Sequence, residues 1–200
     1  MSAIVTHPAG ERNKAPILAL LRQRLRAGDR VLEIASGPGQ HVEALAAALP
    51  ETRFQPSEPD ARMRASIAAR AQARQLANVA APLAIAAQDD WPKETFDAVV
   101  VINLVHIVSQ AVTERLLESA AGALLPGGLL YLYGPYRVDG RHLSAGNVEF
   151  DRVLRERDPE SGIRDVEWLI ERAADAGFAA PERVAMPANN LSLLFPRAER

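Results

Sequence analysis

The segment "VLEIASGPGQH", Val31–His41, joins an apolar run to a helix start through two glycines, with one acid, Glu33, inside the run. Gly37 and Gly39 permit a left-handed backbone and let a ligand approach the main chain closely. The helix that follows offers unpaired N–H groups. Phosphate loops, dinucleotide sites and S-adenosylmethionine (SAM) sites all use this order of strand, turn and helix N-terminus. A phosphate loop needs Gly-Lys-Ser/Thr, and Gln40 and His41 follow Gly39 instead. The dinucleotide fingerprint G-x-G-x-x-G fits Gly37 and Gly39 but meets Val42 at its third glycine. The SAM pattern E/D-x-x-x-G-x-G is met by Glu33, Gly37 and Gly39. A tight turn without ligand is the remaining reading.

Other residues could share in such a site. Glu58 follows the second strand, and a carboxylate there can accept both hydroxyls of a ribose. Asp60, in the same "PSEPDA" turn, suits a helix cap. Glu33 is expected either to meet the amino end of a methionine or to fix the loop, because a buried acid needs partners. Asn103, Leu104 and His106 follow the apolar run "FDAVVVI". A histidine at that strand end is a candidate general base near neutral pH, or it bonds the backbone as the chain turns. His142 in "DGRH" is a rival base, with Tyr136 nearby. Arg62, Arg64, Arg70 and Arg74 form no continuous stripe and read as a solvated helix face. The four histidines, His7, His41, His106 and His142, are scattered, so no metal site is predicted.

The elements that must position these groups alternate. "NKAPILALLRQRLRAGD" is a predicted helix, over about residues 12–27. "RVLEIA" is strand 1, "HVEALAAAL" a helix, "TRFQPSEPD" a short strand running into a turn, and "ARMRASIAARAQARQLAN" a helix. "PLAIAA" is strand 3. "FDAVVVINLV" and "LLYLYG" are strands whose unbroken apolar runs predict burial on both faces. "AVTERLLESAAGALL" and "RDVEWLIERAADAG" are helices. The alternation predicts an α/β fold with a mainly parallel sheet covered on both sides. "FAAPERVAMP" and "NNLSLLFPR" have no helix between them, so these last two strands are predicted antiparallel neighbours. Residues 134–160 form a long insertion, whose "NVEFDRVLRER" reads as an amphipathic helix through Val148, Phe150, Val153 and Leu154. Long connections in compact domains are usually functional or disordered, and this one is expected to be an acceptor lid.

The chain has 200 residues with 48% hydrophobic and 24% charged content, which suits one globular domain with a sizeable core. A net charge of −2 offers no field for nucleic acid or an anionic membrane. Without cysteine there are no disulfides, thiol nucleophiles or zinc–cysteine sites. No run is long and apolar enough for a membrane span, and a cytoplasmic protein is expected.

"VLEIASGPGQH", "QPSEPD", "WPKETFDAVVVINLVHI", "LLPGGLLYLYGPYRVDGRH" and "MPANNLSLLF" together resemble the class I SAM-dependent methyltransferases. More closely they resemble the methyltransferase-like protein 26 group, over about Arg12 to Phe195. The resemblance implies a Rossmann-like, seven-stranded sheet with an antiparallel last strand and helices on both faces. It implies SAM as cofactor, S-adenosylhomocysteine (SAH) as product and a small-molecule methyl acceptor. With the residues above, it places Arg12, Asn13, Glu33, Ala35, Ser36, Gly37, Gly39, His41, Glu58, Asp89, Asn103 and Leu104 around the cofactor. Arg12 and Asn13 belong to a segment that folds over the site, and Arg12 would pair with the methionine carboxylate. His106, His142 and Tyr136 are the catalytic candidates. Ala35 stands where the motif's first glycine is usual, and Asp89 and Asp90 come later than the acid that normally follows strand 3. A monomer or homodimer is expected. A catalytically silent SAM-binding module and a nicotinamide-dependent oxidoreductase are the alternatives.

Overall fold

The computed structural model describes residues 4–198. Its main sheet has six strands. In chain order they are β1 (Arg30–Ile34), β2 (Arg53–Pro56), β3 (Phe96–Ile102), β4 (Leu124–Gly134), β7 (Glu182–Met186) and β8 (Asn190–Pro196). Their spatial order is β2-β1-β3-β4-β8-β7. The pairs β2/β1, β1/β3 and β3/β4 are parallel, whereas β8 runs antiparallel to both β4 and β7. The strand order reverses beside β1, so β1 and β3 diverge at their carboxyl ends and open a crevice there. A two-stranded ribbon, β5 (Arg137–Val138) with β6 (Arg141–His142), lies in the insertion.

Period-two alternation sorts the central strands onto two faces. Leu32, Ile34, Val99 and Val101 meet α4 (Gln110–Ala123) through Leu116 and Leu117, and α6 (Val166–Asp175) through Val166 and Leu169. Val31, Ala98, Val100 and Tyr131 meet the other face. That face is covered by α1 (Pro8–Leu21), α2 (Gln40–Ala48) and α3 (Ala61–Ala73) through Ile17, Leu21, Val42, Leu45 and Ile67. Every residue of β3 from Ala98 to Ile102 is buried, which is why that run carries no polar alternation. The three-residue link Pro187–Asn189 is too short for a crossover and forces the antiparallel β7/β8 pair.

Three boundaries differ from the sequence expectation. The first helix starts at Pro8 and ends at Leu21, because proline is pre-organised for the first helical turn and i→i−3 bonds tighten the chain after Leu21. The predicted strand "PLAIAA" is reduced to one isolated parallel bridge, Ser57↔Leu83, with a second, Phe54↔Val79, just before it. Pro82 cannot donate to a ladder, and alanine is a weak strand former, so a regular seventh strand does not form. The insertion helix α5 (Ala145–Arg157) buries Asn147, Asp151 and Leu154, not Val148 and Phe150.

Candidate functional site

The chain leaves β1 through a backbone that only a few residue types tolerate. Ala35, Gly37 and Gly39 have φ of 54°, 54° and 88°. A Cβ on Gly39 would stand 2.9 Å from Ile67 Cγ1 and 3.1 Å from Ile67 Cα, so this glycine also lets the loop pack on α3. The loop is pinned to the end of β2. Ser36 N donates to Ser57 O at 2.9 Å, and Ser57 N donates to Glu33 O at 2.8 Å. The Glu58 carboxylate accepts from Gly37 N at 2.9 Å and from Asp60 N at 3.1 Å. Asp60 in turn caps α3, accepting from Arg62 N and Met63 N.

A second layer clamps the N-terminal segment over this loop. The Gln40 amide accepts from His7 N at 2.7 Å and donates to His7 O at 3.2 Å and Glu11 Oε1 at 2.6 Å. Gly10 lies against that amide, where a Cβ would come within 2.9 Å. Arg70 is buried, contrary to the solvated face expected for it. It donates to Pro38 O, Glu43, Val5 O and Thr6 Oγ1, tying glycine loop, α2 and N-terminal segment together. Ser66 accepts from Val5 N and donates to Pro38 O. Periodicity gave no sign of this clamp, because its partners are mostly carbonyls more than twenty residues away in sequence.

These parts enclose a cleft of about 530 Å³. Arg12, Asn13, Ala35, Ser36, Gly37 and His41 line one end, with His7 and Gln40. Asn103, His106, Ile107, Pro135, Asn147, Phe150, Ala188 and Asn190 line the other. Asn103 has φ of 57°, and its N–H donates to Tyr133 O, continuing the β3/β4 pairing past the strand end. Gly134 has no side chain to crowd His106, whose Nδ1 lies 3.4 Å from where a Cβ would stand. The His106 ring packs edge-on to Phe150, with centroids 5.5 Å apart. Two larger or comparable hollows lie elsewhere, about 760 Å³ beside Ser109 and Arg164 and about 660 Å³ beside Pro50 and Asn78, and neither touches the glycine loop.

Burial sets the protonation of the site. Desolvation pushes Glu33 up to about 7, against an opposing bond from Ser36, and repulsion from Glu58 adds to the rise. Its Oε2 is buried without a partner. Desolvation pushes His106 down to about 4, assisted by the positive charge of Arg164. Desolvation also lowers His41 to about 4, while the charge of Glu11 opposes the shift. Arg12 is exposed and, among the described residues, is the single fixed charge lining the cleft.

The other expected site residues lie outside the cleft lining. Tyr136 is 1% exposed within the core, and burial drives its hydroxyl pKa upward. The expectation that it lines the acceptor pocket is thereby corrected. His142 sits on the ribbon with Nε2 3.5 Å from Asp151 Oδ2, beneath the insertion helix. Leu104 packs on the core, and Asp89 accepts from Ala86 N in an exposed turn. Glu33, Gly39 and Glu58 support the loop from beneath and beside it.

Residues 5–197 match the model of the family described as protein of unknown function, DUF938. The chain belongs to this family. Solved structures similar to this DUF938 protein include an O-methyltransferase family protein from Burkholderia thailandensis (18% identity, TM-score 0.78, 92% of this chain and 56% of that one). S-adenosylmethionine-dependent methyltransferase SibL is similar at 21% identity and TM-score 0.80, over 96% of this chain and 56% of that one. YcgJ from Bacillus subtilis is similar at 15% identity and TM-score 0.71, over 92% and 98%. The chain thus spans little more than half the length of the first two. At these identities the likeness establishes the Rossmann-like methyltransferase fold. Among the described residues, no helix is long and apolar enough to cross a membrane.

Proposed function

We propose that this DUF938 protein is a SAM-dependent methyltransferase acting on a small-molecule acceptor in the cytoplasm. The observation that carries the reading is the glycine loop bonded to Glu58, opening on a cleft with Arg12 at one end and His106 at the other. The residues present fit the cofactor. Glu33 keeps a buried, unpartnered oxygen beneath the loop, suited to a donor such as the methionine ammonium. Arg12 would hold the carboxylate, with Asn13 beside it, and Glu58, which stands just outside the cleft lining and already accepts from Gly37 N and Asp60 N, would accept the ribose hydroxyls with its remaining lone pairs. The three solved structures are similar at low identity, and two of them are methyltransferases by name, which supports the same reading. The segments "GPYRVDGRH" and "MPANNLSL" keep it beside the methyltransferase-like protein 26 group.

When bound, SAM supplies a methyl group already activated on a sulfonium. The chain's own task is then placement, since orientation alone can account for about 7–11 kcal/mol of a barrier. Asn103 and His106 stand at the end of β3, on the acceptor side of the cleft. His106 is uncharged at neutral pH, so its imidazole can accept a hydrogen bond from a hydroxyl acceptor and orient it, while the lowered pKa makes it a weak base. Val42, at the third position of the dinucleotide fingerprint, is 2% exposed and fills the helix–strand contact that a glycine would leave open.

Thermal melts with SAM and with NAD test the reading. SAM at about a hundred times its dissociation constant stabilises the native state by about 2.7 kcal/mol, so the melt rises. Glu58→Ala loses most of that rise. A melt that responds to NAD and not to SAM contradicts the proposal.

A further inference from the structure

The acceptor end of the cleft has a chemical bias that the cofactor does not explain. Arg12 comes from the N-terminal segment assigned to the cofactor, and among the described residues no Asp, Glu or Lys lines the cleft. Beyond His106, the lining is Ile107, Pro135, Phe150 and Ala188 with the amides of Asn147 and Asn190. An ionic acceptor would enter without a counter-charge, which costs heavily away from water.

Exposed apolar side chains also border the cleft. Among the described residues five large hydrophobics are exposed, and two of them, Ile107 after β3 and Phe150 on α5, line it. Scattered single hydrophobics are ordinary on a surface, whereas apolar side chains left open in a cleft mark a binding site. Helix α5 turns Asn147 and Asp151 inward and leaves Val148 and Phe150 out. Its inward face is held by polar bonds, Asp151 Oδ1 accepting from Ile163 N at 2.6 Å and Asn147 Nδ2 donating to Asn189 O at 3.3 Å. Packing inside the protein therefore does not require Phe150. The Phe150 and His106 rings stand at 64° to one another, forming a corner. A flat acceptor ring packed beside this pair would bring a hydroxyl on its edge near His106.

From these observations, and resting on the methyltransferase reading above, we infer that the acceptor is an uncharged, planar apolar molecule bearing a hydroxyl, seated between Phe150, Ile107 and His106. The amides of Asn147 and Asn190 bond its uncharged polar atoms.

The test measures binding to the SAH-loaded protein of four phenols that differ in charge and apolar size. Butyl and methyl 4-hydroxybenzoate are uncharged, 4-hydroxybenzoate is an anion and tyramine is a cation. Isothermal titration gives the affinities, and radiolabelled SAM reports methyl transfer to each. Both esters bind at least about tenfold more tightly than either charged phenol, and the butyl ester binds more tightly than the methyl ester. Phe150→Asp weakens the esters by about tenfold or more, with SAH binding as the check that the protein remains folded. The inference is overturned if a charged phenol binds as tightly as the esters, or if SAH binds and neither ester does. Failure of SAH itself to bind removes the cofactor reading instead, and the acceptor inference with it.

Discussion

Glu33 couples stability to pH in a way that a single substitution isolates. The side chain is 3% exposed at the end of β1, with one oxygen unpartnered. Desolvation raises its pKa from 4.5 to about 7. The native state therefore holds this proton more tightly than the unfolded chain does. Stability from the group is fully present below pH 4.5, falls as pH rises, and is lost once pH passes about 7. A shift of this size corresponds to about 3 kcal/mol, most of which falls between pH 5 and pH 8. Glu33→Gln keeps the shape and removes the titration. Urea unfolding of both proteins, followed by the fluorescence of Trp91 and Trp168, cancels the other titrating groups at each pH. The stability of Glu33→Gln relative to the parent rises by about 2–3 kcal/mol from pH 5 to pH 8. An equal difference at the two pH values, or one that shrinks at pH 8, refutes the claim that Glu33 is buried as a reluctant acid.

Three further substitutions probe the loop, the clamp and the core. Gly39→Ala combines a φ of 88° with a contact 2.9 Å from Ile67, and chemical denaturation should record a loss of about 2–4 kcal/mol along with weaker SAM binding. Arg70→Met removes the bonds to Pro38, Val5 and Thr6 and leaves Glu43 paired with Arg74 alone. Its cost is about 3 kcal/mol, and amide exchange should rise at residues 5–7 and in the glycine loop. Tyr136→Phe removes a buried hydroxyl that has no partner, so stability should hold or rise by about 1 kcal/mol. Turnover on any acceptor that is found should be unchanged.

The sheet was legible where burial is uniform. Residues 96–102 lack polar alternation because both faces of β3 are covered, and a three-residue link cannot carry a crossover. The glycine loop was legible because left-handed backbone restricts residue type at Gly37 and Gly39. Strand 3 was misjudged because apolar content survives in "PLAIAA" while Pro82 breaks its ladder. Arg70 was misjudged because a helix wheel shows which residues share a face, and not that carbonyls from residues 5 and 38 converge on one of them. Tyr136 and Val148 failed for a shared reason. Chemistry-bearing residues were assigned to the cleft and apolar ones to the interior, and the insertion reverses both. Its tyrosine packs in the core while Phe150 faces the cleft.

The central claim is that the loop between β1 and α2, with Glu58, holds SAM. Isothermal titration of SAH into the parent protein and into Glu58→Gln, with NAD as the competing ligand, addresses it directly. One SAH binds per chain, NAD gives no saturable heat, and Glu58→Gln weakens SAH by about ten- to a hundredfold through loss of a charged acceptor. Saturable NAD binding without SAH binding, or SAH affinity unchanged in Glu58→Gln, would contradict the account.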